Sequence, residues 1–119
     1  MKKKVLIIDD DRRNIFALTA TLKAHGYECL SADDAVQGIA YLNKQNDVGI
    51  VLIDMMMPEM DGYEAIPKIK SQHNIPVIAV TAQAMAGDRE KCLNAGATDY
   101  ISKPVDVDKL MHILNLHMA

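Results

Sequence analysis

The sequence predicts an α/β fold, a doubly wound, five-stranded parallel sheet whose strands alternate with five helices. Three observations carry this. Short unbroken apolar runs, Val5 to Ile8, Ile50 to Ile53 and Val77 to Val80, show no polar alternation, as strands buried on both faces do. The segments between them space apolar residues at helical intervals, which supplies the right-handed crossovers a parallel sheet needs. The runs also end on polar residues, Asp9 to Asp11, Asp54 and Thr81, at the carboxyl edge where ligands of open α/β sheets bind. With 119 residues, half of them hydrophobic, the chain can bury a real core, and residues 1–119 are expected to form one domain without a second.

Taken in order, Lys4 to Asp9 is the first strand. Arg12 to His25 follows with apolar residues at 15, 18 and 22 and Phe16 beside them, and Gly26 offers the positive φ that a helix end favours. Tyr27 to Ala32 is the second strand. Asp34, with Gln37 three residues on, caps a helix reaching Lys44 in which Val36, Ile39 and Leu42 share a face. The third strand, Ile50 to Ile53, stops at Asp54, because three methionines, Pro58, Asp61 and Gly62 make the next stretch a loop. Tyr63 to Ser71 carries Ile66 and Ile69 at helical spacing; Pro67 weakens that helix unless it lies in the first turn. Pro76 opens the fourth strand, Val77 to Thr81, and the run Ala82 to Gly87, rich in small residues, leads into a helix from Asp88 to Asn94 closed by Gly96. Asp99 to Ile101 is a short fifth strand, Ser102 to Pro104 a turn, and Val105 with Asp106 opens a last helix bearing Leu110, Ile113 and Leu114.

The formal net charge of -3 gives no general attraction to nucleic acid or anionic membrane, and Lys2 to Lys4 reads as a solvated end. No apolar run approaches the roughly 20 residues that span a bilayer, and the amino-terminal segment is too acidic at Asp9 and Asp10 for a signal peptide. A soluble, cytoplasmic protein without membrane contact is the expectation. Cys29 and Cys92 lack a CxxC pattern and metal-ligand spacing, so they read as reduced, small apolar side chains. His25, His73, His112 and His117 are scattered and read as surface residues.

Asp9, Asp10, Asp11, Asp54, Thr81 and Lys103 all fall at or just after strand ends, so the topology gathers them at one edge. Singly, each has an ordinary use as a cap, a strand terminus or a snorkelling lysine. Together they describe a site. Two carboxylates about 4 Å apart repel by on the order of 4 kcal/mol at an effective dielectric near 20, so a cation belongs among them. Oxygen-only ligands that leave room for water and substrate favour magnesium over zinc or a calcium cage, and magnesium is the usual companion of phosphate chemistry. Lys103 adds a fixed positive charge and Thr81 a single donatable proton. The set suits a phosphoryl group held on Asp54.

These residues, IIDDD at 7 to 11, DMMMPEMDG at 54 to 62, VTA at 80 to 82 and YISKP at 100 to 104, resemble the receiver domain of two-component response regulators over essentially the full length. The resemblance implies a flavodoxin-like fold with strand order 2-1-3-4-5 and a phosphorelay function. In that reading a histidine kinase or a histidine phosphotransfer domain donates the phosphoryl group to Asp54, and the domain then switches conformation. It implies Asp10, Asp54 and the backbone carbonyl of Met56 as magnesium ligands, Asp9 as the holder of the metal's waters, and Thr81 and Lys103 as partners of the phosphoryl oxygens. Tyr100 resembles the aromatic switch that turns inward as Thr81 moves, with small Ala82 leaving space, and the peptide before Pro104 is expected to be cis. The family's signalling face is helix four, strand five and helix five, through which a weak homodimer is also expected.

Rival readings have specific objections. A flavin monophosphate would be repelled by Asp9 to Asp11. An aspartyl-nucleophile phosphatase needs a second Asp two residues after the first, where this chain has Met56. An interaction module that works without phosphorylation would be expected to lose Asp54, Lys103 or the acidic pair, all present here. No enzymatic turnover is expected beyond magnesium-dependent self-phosphorylation and slow self-dephosphorylation, because Met56 cannot donate a hydrogen bond to a hydrolytic water and Gln83 cannot act as a base. The run Gly87 to Leu110 resembles receivers attached to hybrid sensor histidine kinases, and a single-domain regulator is the alternative.

Overall fold

A computed structural model describes residues 4–82 and 86–118. Within them lie five parallel strands, β1 (Lys4–Ile8), β2 (Glu28–Ala32), β3 (Val48–Asp54), β4 (Val77–Thr81) and β5 (Asp99–Ser102), in the spatial order β2-β1-β3-β4-β5. The helices α1 (Arg12–Ala24), α2 (Ala35–Lys44), α3 (Gly62–Gln72), α4 (Asp88–Asn94) and α5 (Val107–Met118) alternate with them. This is the expected flavodoxin-like arrangement.

Strand side chains alternate between faces, and that alternation divides the core in two. Leu6, Ile8, Val51, Ile53, Val77 and Ala79 pack with Ala35 and Leu42 of α2, Ile66 and Ile69 of α3 and Cys92 of α4. The opposite set, Val5, Ile7, Ile50, Leu52, Ile78, Val80 and Ile101, packs with Leu22 of α1 and with Leu110, Ile113 and Leu114 of α5. Each fully buried Leu or Ile here contributes roughly 1.5–3 kcal/mol of apolar transfer, which is what makes the register of the strand ends worth defending. Carried past the last apolar residue, the same parity assigns Asp9 and Asp54 to the α1/α5 side and Thr81 to the α4 side.

Several sequence expectations are refined by packing. β3 starts at Val48 and includes Asp54, so the key carboxylate is still paired, opposite Val80. Val36 is exposed, not inward; Ala35, Gly38 and Leu42 form the buried face of α2, because the helix is rotated to let Gly38 pass against Ile8. Phe16 stays outside the core. Pro67 lies inside α3 rather than in its first turn; it sits on the exposed face, where a lost backbone hydrogen bond costs least, while Ala65, Ile66 and Ile69 hold the helix down. Asp106 precedes α5 and accepts from the backbone of Asp108 and Lys109, so that helix begins at Val107 and not Val105. His25 and His112 are exposed as expected, but His73 and His117 are half-buried and bonded, the latter to Asp99 at 3.1 Å. Cys29 and Cys92 are free, and burial pushes both thiols up, away from reactivity. No helix among the described residues is long and apolar enough to cross a membrane.

Candidate functional site

The site is built at the carboxyl ends of β1, β3, β4 and β5. The backbone fixes each residue before its side chain does anything. Asp9 donates its N–H to the Ala32 carbonyl, Met55 to that of Val80 and Lys103 to that of Thr81, extending the ladder one step beyond the strands. The loop after Asp54 folds back closely: the Gly62 N–H reaches the Met55 carbonyl at 3.2 Å, and any Cβ on Gly62 would collide with the buried Met55 side chain. Asp61 then caps α3 through the Glu64 N–H.

Asp54 is nearly buried, with one carboxylate oxygen accepting the Met56 N–H at 3.0 Å and the other accepting from Lys103 Nζ at 3.2 Å. The same ammonium lies 3.7 Å from Asp9. Asp9 is also buried, and it accepts from the Asp11 N–H at 2.9 Å and from Asn14 at 3.4 Å. Burial, and then the charge of Asp54, raise the Asp9 carboxyl above its ordinary range in spite of these donors. Carboxylate oxygens of Asp9, Asp10 and Asp54 come within 4.8 Å of one another, with Asp10 exposed. Three carboxylates facing one ammonium leave a formal local charge of -2. The donor set is all oxygen, two members are buried, and one side is open, which fits a small, hard divalent cation.

Asp11 does not join this cluster. It caps α1 through the Arg13 N–H, which holds its carboxyl below the usual range. Thr81 is buried, and its hydroxyl donates to Asp88 of α4 at 3.0 Å. Tyr100 is half-buried on the same sheet face, packed against the α2–α4 side of the core and paired in register with Ala79. The Lys103–Pro104 peptide is cis. Met56 exposes more than half of its surface at the rim, while Gln83 lies outside the described residues. Sequence reasoning missed Asn14 and Asp88. Asn14 is the third residue of α1, five residues after Asp9, a spacing that would have suggested it; nothing local marks Asp88.

The family model of the response regulator receiver domain matches residues 5–115. The chain belongs to that family. This receiver domain is 39% identical over 114 residues to the sensor histidine kinase RcsC of Escherichia coli, covering 95% of this chain and 12% of that protein. It is 35% identical to protein PilH of Pseudomonas aeruginosa, covering 98% of both. Among solved structures, the receiver domain of sensor histidine kinase PA1611 from Pseudomonas aeruginosa superposes with a TM-score of 0.88 at 34% identity, covering 99% of this chain and 98% of that one; it holds a magnesium ion coordinated in its active-site cleft. The receiver domain thus spans only about an eighth of the sensor histidine kinase RcsC and nearly the whole of PilH.

Proposed function

We propose that this receiver domain accepts a phosphoryl group on Asp54 from a phosphohistidine of a histidine kinase or phosphotransfer domain, with magnesium, as one unit over residues 1–119. The observation that carries the reading is the buried Asp54 carboxylate at the end of the central strand, 3.2 Å from Lys103 and within 4.8 Å of two further carboxylates. One Asp54 oxygen forms the bond to phosphorus as the donor's phosphorus–nitrogen bond breaks and its imidazole takes up a proton. Lys103 stays in place to pair with the oxygens of the transferred group, whose added negative charge the cluster otherwise repels. Asp10, Asp54 and the Met56 carbonyl would hold magnesium, with Asp9 behind them, and the ion when bound neutralises charge on the carboxylates and on the phosphoryl oxygens. The half-buried Tyr100 and the buried Thr81 share a face and adjacent strands, which supports a change spreading from Asp54 to the surface of α4, β5 and α5.

The test is incubation with acetyl phosphate followed by mass measurement at low pH. One phosphoryl mass is expected, dependent on magnesium and absent in Asp54→Asn. A gain that forms in EDTA, or that survives Asp54→Asn, defeats the reading.

The similarity to RcsC supports a place as the receiver of a hybrid kinase, and the end-to-end match with PilH supports a stand-alone regulator; in both the donor is a phosphohistidine.

A further inference from the structure

Resting on the phosphoacceptor reading above, we propose that Asp88 holds the Thr81 hydroxyl in the unphosphorylated protein, so that the phosphoryl group must win Thr81 from a buried carboxylate before α4 and β5 respond. Thr81 Oγ1 donates to Asp88 Oδ2 at 3.0 Å, and both residues are almost completely buried. A threonine hydroxyl has one proton, so it cannot donate to Asp88 and to a phosphoryl oxygen at once. The two acceptors compete.

The consequence for α4 follows from what Asp88 would lose. Its charge reaches the Tyr63 phenol and the Cys92 thiol and adds to the burial that raises both groups. A buried carboxylate deprived of a charge-assisted donor is costly until it reaches water or another donor. Asp88 is the first residue of α4, preceded by exposed Gly87 at a positive φ and without a side-chain cap. The first turn of α4 is therefore the part that can yield, and α4 packs directly on β5, which carries Tyr100. Asp88 is a positioning residue: it acts through Thr81 and touches no reacting atom.

Coupling of this kind is reciprocal, so removing Asp88 should strengthen binding of a phosphoryl mimic by the factor with which Asp88 opposes it. Titrate beryllofluoride in saturating magnesium into the full chain and its variants, following backbone amide shifts. Asp88→Ala should bind about tenfold more tightly than the wild type, and its unliganded Tyr100 amide should lie part-way toward the liganded position. Asp88→Asn, which keeps a weaker neutral acceptor of the same shape, should shift both readouts in the same direction by less. Asp88→Asn also decides the matter if Asp88→Ala does not fold. A purely helix-stabilising Asp88 would lower the melting temperature in the variants and leave affinity and the Tyr100 position unchanged, which overturns the proposal while the wild type still responds. A wild type that does not respond to beryllofluoride overturns the phosphoacceptor reading, and this proposal with it.

Discussion

The carboxyl edge of the sheet has two halves built on opposite strand parities. On the α1/α5 side, Asp9, Asp54 and Lys103 are clamped by ladder hydrogen bonds and by one another. On the α4 side, Thr81 and Tyr100 look toward a seven-residue helix that starts at an uncapped glycine, beside an edge strand with a single neighbour. The first half is charged and tied by ion pairs; in the second, the Thr81 hydroxyl donates its one proton to Asp88. The difference teaches how one sheet edge carries a charge cluster held by several partners beside a half whose polar contact is a single neutral donor on a buried carboxylate.

If the division holds, lesions on the two sides fail differently. The largest effect is expected from Lys103→Met, which removes the ammonium facing Asp54: the rate of phosphorylation by acetyl phosphate should fall about 10²-fold or more, as for loss of a fixed charge aimed at the transition state. Thr81→Ala, which removes a neutral donor and no charge, should cost less in rate but should abolish the Tyr100 amide response to beryllofluoride. Equal rate losses in the two variants, with the Tyr100 response intact, would erase the distinction between the halves.

Stability should show the reverse side of the charged half. A carboxyl raised in the folded protein binds its proton more readily folded than unfolded, so ionised Asp9 opposes folding at neutral pH, and this cost disappears as pH falls through the folded value. Asp9→Asn keeps an acceptor for the Asp11 N–H, and in EDTA at neutral pH it should raise the melting temperature by about a few degrees. The gain should shrink on acidification and on adding magnesium to the wild type. A lower melting temperature at neutral pH would show that the Lys103 pairing outweighs the burial. The smallest effect concerns the lifetime of the phosphoryl group: Met56→Asn and Gln83→Glu should each speed phosphate loss by a few-fold once the donor is removed. Rates unchanged singly and together would show that these positions do not set it.

Much of this was legible along the chain because the governing rules are local. Unbroken apolar runs specify buried parallel strands, and a polar residue that ends such a run must lie at the sheet edge, so the chain order alone gathers Asp9, Asp54, Thr81 and Lys103. Gly26 and Gly96 likewise adopt the positive φ that their places after helices call for. The rotation of α2, by contrast, depends on Ile8 of another strand, which is why Val36 faces water and Gly38 the core. Pro67 is tolerated because burial of its neighbours outweighs one missing donor. Sequence determined which groups reach the edge; only the tertiary structure decided whom they face. Thr81 and Asp88 stand seven residues apart, a separation that no spacing rule turns into a contact, and a hydrogen bond acts only over about 3 Å, a distance set by the packing of α4 on the sheet.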